Sequence, residues 1–505
     1  MRTPAPAYHF WVFLGGLLLL WWGLGYPALW DVPPSGVHLW RQADGASLAY
    51  QYAQQGRHFW QPQLHQLFEG SPRTVGEFPI WYYLASFFGS TGHPPENALR
   101  LLHLLLFGAG LWALSRLTWR YTQDSWWALL LPGLVSTSPV VAYYAFNFLP
   151  NVPALGLALV GLYGMLGYLD TQRRGYLAVG IIGFLLAGLT KLPAVVPLLA
   201  LLLAWAVQRY RRQGPWPRGK VFLLAVLGIA GLLLAWNGYM SYYKAIHRNT
   251  YFLAKAKPIW ETSLAHVLDT FRRIRLLWWP DYGHVTLHLL TVGGFGLATW
   301  RLVRKELRYF LLFLLLGTGA VFLLFFQQFH HHDYYYVDLY PLVIACLLLG
   351  ACSLPVVWRS HPLACILLVI ILLVNVYHAR RIIAFRSAPH SKYMVGFNYD
   401  LHHPELPAFL EGLGVAPDAP VLSFPDGSPN NTLYFLNRPG WTQFRTGPIT
   451  PEKVQKRIDQ GARYLVLTDA AWRDKPALQS FLTRPLGDFR GSIFVYEIGG
   501  LPGGE

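Results

Sequence analysis

Val221-Phe222-Leu223-Leu224-Ala225-Val226-Leu227-Gly228-Ile229-Ala230-Gly231-Leu232-Leu233-Leu234-Ala235-Trp236-Asn237-Gly238-Tyr239 is a run of nineteen residues without a charge. As an α-helix it would rise about 28 Å, close to the ~30 Å hydrocarbon thickness of a bilayer. A helix also satisfies its own backbone where no water can. The run therefore reads as a membrane span. Working outward, similar runs occupy 10–29, 98–117, 126–146, 152–169, 176–190, 194–207, 285–303, 309–326, 337–356 and 362–377, which with 221–239 makes about eleven. Several are short enough to be tilted, kinked at a proline or incomplete. The composition agrees, with 54% hydrophobic and 13% charged residues over 505 positions. The chain reads as an α-helical polytopic membrane protein.

The net charge of +16 does not indicate nucleic-acid binding, because the cations fall in short clusters between apolar runs and no nucleic-acid-binding module surrounds them. With a cytoplasmic N-terminus, the inward connections carry Arg116 and Arg120, then Arg173 and Arg174, then Arg209, Arg211, Arg212, Arg218 and Lys220, then Arg301, Arg304, Lys305 and Arg308, and finally Arg359. The outward turns near Asn147 and Lys191 carry almost none. Arg380, Arg381 and Arg386 run against this pattern. An odd number of spans places the C-terminus outside. The expected organisation is a transmembrane domain over 1–390, with outer loops at 30–95 and 240–284, followed by a soluble outer-face domain over 391–505. The expected location is a bacterial-type inner (plasma) membrane, with the C-terminal domain periplasmic or extracellular.

Residues 391–505 carry strand-like stretches at 421–424, 464–468 and 492–498, and helix-like stretches at 404–413, 451–460 and 475–483, which suits a small α/β unit. No glycine-rich phosphate loop follows a strand, so support or acceptor recognition fits better than nucleotide binding. Cys346, Cys352 and Cys365 lie in or beside apolar runs without metal or disulfide spacing. The run 10–29 lacks a small-residue cleavage pattern and reads as a retained span.

Chemistry is expected in the first outer loop. It opens with His38-Leu39-Trp40-Arg41-Gln42-Ala43-Asp44, continues through a helix-like run at 43–55, and closes with Gly76-Glu77-Phe78-Pro79. Carboxylates and a cation beside a membrane must be solvated or paired, so they tend to be kept for function. Asp44 is a candidate base, or alternatively a helix N-cap. Glu77 is a candidate for orienting a substrate or metal. Arg41, three residues before Asp44, is placed to pair with it or to clamp a phosphate. Lys191, at the outer end of a span, suits a leaving phosphate or simple snorkelling. His330-His331-His332-Asp333-Tyr334-Tyr335-Tyr336 closes another span. There His332 and Tyr335 are candidate phosphate or sugar contacts, and His331, His332 and Asp333 leave a divalent metal open as a cofactor. Asn147 and Asn151 flank Pro150 in a tight turn, where they bind a sugar or satisfy the turn backbone.

Asp44, the small and aromatic residues Ala46, Ala49 and Tyr50, the pair Phe59-Trp60, the segment Glu77-Phe78-Pro79-Ile80-Trp81-Tyr82-Tyr83, the turn Thr190-Lys191-Leu192-Pro193 and the stretch 333–341 together resemble the GT-C superfamily of membrane glycosyltransferases. Within it they resemble the branch of protein O-mannosyltransferases and lipid A aminoarabinose transferases. The resemblance covers most of the first 380 residues. Family members often carry an Asp-Glu pair where Gly45 follows Asp44 here, and a lysine where Phe78 stands. Lys191, Arg41 or the histidine cluster would then take over the phosphate contacts.

The resemblance implies a GT-C-like fold, a polyprenyl-phosphate-linked sugar as donor, a cavity opening outward, and inversion at the anomeric carbon, with the acceptor a lipid, glycan or protein. Asp44 would align and deprotonate the acceptor hydroxyl. An ordinary aspartate, with a pKa of about 3.9, is a weak base, so burial would have to raise it. A transporter or flippase of a lipid-linked saccharide is the alternative, although intramembrane charge pairs and symmetric broken helices do not stand out.

Overall fold

The computed structural model describes residues 8–90, 92–212, 216, 219–249, 251–252, 256–302, 304–389 and 391–499; Arg218 and Val303 of the expected clusters and spans lie outside them. By contact the chain forms two compact units. The first comprises Met1–Asp31, Arg100–Gly238 and Ala254–Arg386, and the second Val32–Leu99, Tyr239–Leu253 and Ser387–Glu505. A boundary near residue 390 was expected, and one junction falls close to it. The segments 32–99 and 239–253, which overlap the loops expected on the outer face, group with the C-terminal region.

All eleven apolar runs are helical. Among the described residues seven helices are long and apolar enough to cross a membrane: Glu96–Thr122, Asn151–Thr171, Leu192–Tyr210, Lys220–Ile246, Lys305–Leu324, Tyr335–Ser353 and Pro362–Ser387. The helices Ser125–Val135 and Pro139–Ala145 form an eighth candidate, bent by 82° at its break. Pro139 opens the second piece, where a proline costs the helix nothing because its first N–H groups have no intrahelical partner. His9–Gly23, Arg174–Thr190 and Val285–Arg301 are apolar but span only 15, 17 and 17 residues.

In the first unit, Asn151–Thr171 is the most enclosed span, with 89% of its apolar stretch buried, against 17% for Pro362–Ser387. Small residues allow this. A Cβ on Gly164 would come within 2.2 Å of the Gly180 backbone nitrogen, so Asn151–Thr171 and Arg174–Thr190 pack backbone to backbone. Three of the connections expected to face inward meet in this unit, those that carry Arg120, Arg173 and Arg304. Arg304 donates to Asp170 at 2.8 Å and also pairs with Glu306, and the Tyr121 hydroxyl donates to Asp170 at 3.1 Å.

The second unit holds a five-stranded mixed sheet of β1 (Val421–Phe424), β2 (Gly440–Trp441), β3 (Tyr464–Leu467), β4 (Pro485–Phe489) and β5 (Ile493–Glu497), in the order β2-β1-β3-β5-β4. β1 runs parallel to β2 and β3, and β5 antiparallel to β3 and β4. Leu422, Phe424, Trp441, Leu465 and Leu467 form its core, with Leu67 of the first outer loop packed against it. That loop also covers the β2 edge. Leu67 N–H donates to Gly440 O at 2.8 Å, Gly440 N–H to His65 O at 3.0 Å, and Trp441 Nε1 to Phe68 O at 2.7 Å. An open edge is a template for unwanted pairing, and here the chain pairs it itself. Only glycine fits at 440, since a Cβ would lie 2.0 Å from Val421 O. The stretch expected as a helix over 475–483 is instead a 3-10 turn at Pro476–Phe481, started by its proline.

Candidate functional site

Each unit contains a cluster of buried charge. In the second, the cluster is carried by the helix Leu39–Gln54, which starts four residues earlier than its expected onset. Asp44 therefore sits inside the helix and is not its N-cap. Every position from Gln42 to Tyr52 is buried, because Ala43, Gly45, Ala46, Ser47 and Ala49 let other segments approach all round.

Asp44 is 0% exposed. Its Oδ2 accepts a hydrogen bond from the Tyr251 hydroxyl at 2.5 Å, while its Oδ1 meets no donor among the described residues. Burial pushes the carboxyl up to about 7, against the opposing pull of Arg41 and of the Tyr251 hydrogen bond. The elevation that base catalysis requires is thus present.

Arg41 does not hydrogen-bond Asp44. Its Nη2 binds Glu77 Oε1 at 2.6 Å and its guanidinium lies over the Phe252 ring at 5.2 Å. Glu77 also accepts from the Tyr82 hydroxyl. The two first-loop candidates Arg41 and Glu77 therefore pair with each other and flank Asp44 as supports. Farther along the helix, Ser47 Oγ lies 2.8 Å from His65 Nδ1, and His65 Nε2 3.3 Å from Asn437 Oδ1, which ties the helix to the C-terminal sheet region. Burial holds His65 down at about 4, so it is neutral.

In the first unit, Lys191, Tyr335 and His332 come together. Lys191 Nζ lies 5.0 Å from the Tyr335 ring centre and 5.8 Å from that of Tyr334, and the His332 ring lies 5.2 Å from Tyr334 and 6.2 Å from Tyr335. The Asp338 carboxylate faces the same lysine and accepts from Asn151 Nδ2 at 3.4 Å. Asn147 closes its own turn, its Oδ1 accepting from Phe148 N–H at 2.6 Å.

Asp333 has other partners. Its Oδ1 accepts from the Tyr144 hydroxyl at 2.7 Å and its Oδ2 from Arg386, which also binds Asp281. Asp333 and Arg386 are both fully buried. Among the described residues no three His, Cys, Asp or Glu side chains are grouped to hold a metal, so His331, His332 and Asp333 do not form the ligand set considered from their spacing. Arg386, which ran against the inward-positive pattern, is neutralised inside the protein.

Tyr251, Asp338 and Asp281 were not singled out by the sequence, and Arg386 was noted only as an exception to the charge pattern. Arg386 and Asp281 did carry a signal, as charges beside apolar runs that must find partners. Tyr251 carried none.

The fold is similar to that of solved structures of two named proteins, ArnT and AftD. ArnT from Cupriavidus metallidurans bound to undecaprenyl phosphate is similar over 98% of this chain and 100% of that one, with a TM-score of 0.59 and 13% identity. Its apo form matches at a TM-score of 0.57 and 12% identity. The arabinofuranosyltransferase AftD from Mycobacteria matches at 0.57 and 15% identity, over 99% of this chain and 42% of that one. No protein-family model and no curated protein matches the sequence.

Proposed function

We propose that the chain is an inverting glycosyltransferase that moves a sugar from a polyprenyl-phosphate donor to an acceptor hydroxyl at the outer face of the membrane, with the N-terminus cytoplasmic. The observation that carries this is Asp44, a wholly buried carboxylate raised to about 7 with one oxygen that meets no donor among the described residues. A general base works best with a pKa near the working pH. The Asp44 carboxylate takes the proton of the acceptor hydroxyl, whose oxygen bonds to the anomeric carbon from the side opposite the phosphate. The bond from that carbon to the phosphate oxygen breaks, and its electron pair leaves with the polyprenyl phosphate. A single displacement of this kind inverts the centre.

Arg41 and Glu77 hold the surroundings of Asp44 in place. Lys191 is assigned to the departing phosphate, where a cation stabilises developing charge, and His332 and Tyr335 to contacts beside it. These assignments rest on the geometry of each unit separately. The fold likeness supports the donor class, since one similar structure holds undecaprenyl phosphate and another is named for arabinofuranosyl transfer. The meeting of three cation-bearing connections in the first unit supports the orientation.

The test is transfer from radiolabelled undecaprenyl-phosphate sugars to candidate acceptors by purified protein, wild type against Asp44→Asn. Undiminished transfer by a folded Asp44→Asn protein would remove Asp44 from catalysis. Flux of intact lipid without transfer would favour a flippase.

A further inference from the structure

The turn 425–431 leaves the carboxyl end of β1. From β1 the chain passes to β2 on one side and then to β3 on the other, both parallel to it. Such a reversal opens a crevice beyond the strand ends where polar ligands commonly bind. Here that place is occupied by Asp426, Asn430 and Asn431.

Asp426 is committed to shaping the turn. It accepts from Ser428 N–H, Thr432 N–H and Thr432 Oγ1, each at 2.8 Å. Asn430 Nδ2 donates to Ala43 O at 3.4 Å, one residue before Asp44, and the Asp426 charge is felt at Asp44. The turn thus lies against the helix segment that carries the base. Yet Asn430 Oδ1, Asn431 Oδ1 and Asp44 Oδ1 all lack a donor among the described residues, and all three residues are more than nine-tenths buried. Buried acceptors are rarely left so. Hydrogen-bond donors, such as hydroxyls, would meet these acceptors. A cation fits less well, because Asp426 already accepts three hydrogen bonds and Arg41 offsets the charge of Asp44.

We propose that this turn reads the hydroxyls of the substrate, with Asn430 and Asn431 accepting hydrogen bonds from the ring hydroxyls of a sugar placed against Asp44. The proposal rests on the transferase reading and gives the C-terminal region a part in it. Both a donor sugar and a glycan acceptor carry such hydroxyls, and the measurement separates them.

In the transfer assay, Asn431→Ala raises KM about tenfold for one of the two substrates, which identifies the source, while Kd for undecaprenyl phosphate, which has no ring hydroxyls, is unchanged. Asn430→Ser gives the same pattern. A deoxy analogue of that substrate loses about tenfold with wild type and no more with Asn431→Ala, a readout that general loosening of the fold would not produce. Unchanged KM for both substrates, or an equal loss of undecaprenyl-phosphate binding, overturns the proposal. Saturation-transfer NMR with methyl glycosides keeps the two readings apart. Glycoside binding that depends on Asn431, in a protein that transfers nothing, leaves the sugar site standing and removes the transferase. Absence of both overturns the hydroxyl-reading turn as well.

Discussion

Asp44 and Asp333 are both 0% exposed, and their surroundings make them opposites. Asp333 uses both oxygens, one on Tyr144 and one on Arg386, and Arg386 is shared with Asp281. Among the described residues Asp44 has one hydrogen bond and one idle oxygen, with its pKa raised to about 7. A buried carboxylate whose acceptors are all met is held in one charged state and fastens segments together. One left partly unmet can still exchange a proton, and chemistry can be built on it.

The sharpest way to break this contrast is Asp44→Asn, which removes the carboxylate proposed as the base while keeping the shape. Transfer should fall by roughly 100- to 10,000-fold, the usual contribution of a general base, with far-ultraviolet circular dichroism unchanged. Arg386→Met should do the reverse. It leaves Asp281 and Asp333 buried without their cation and should lower stability by about 3–5 kcal/mol, read as earlier thermal unfolding in detergent. Lys191→Met comes next, with an expected loss of about 10- to 100-fold in undecaprenyl-phosphate affinity measured by calorimetry.

The smallest effect is in pH dependence. Transfer by wild type should rise through about pH 7 as Asp44 ionises. Tyr251→Phe removes a hydrogen bond that favours the ionised form, so the midpoint of the rate profile should move to higher pH. Stability follows the opposite course. The folded state holds the Asp44 proton up to about 7 and the unfolded chain releases it near 4. The Asp44 contribution to stability is therefore lost as pH rises between those values, and Asp44→Asn should flatten that part of the profile.

The apolar runs were legible because span length and hydropathy are local properties, and all eleven are helical. β1, β3 and β5 were legible as continuous apolar stretches, whereas β2, only Gly440 and Trp441, and β4, with Pro485 and Gly487, have no such pattern. Asp44 and Glu77 stood out as carboxylates in a loop next to a span. The partners that define their roles were hidden by distance along the chain. Tyr251 lies 207 residues from Asp44, and Arg386 lies 105 from Asp281. The sequence offered Asp44, three residues away, as the partner of Arg41, whereas tertiary packing supplies Glu77, 36 residues away.

The strip of first-loop backbone along β2 has a consequence for synthesis. Trp441 follows Phe68 by 373 residues. At about 5–20 residues per second, the loop emerges roughly 20–75 s before the strand that completes it. During that interval His65, Leu67 and Phe68 need another partner, such as water or a chaperone. The sheet then closes on a template laid down first, so the order of translation gives β2 its neighbour before β2 exists.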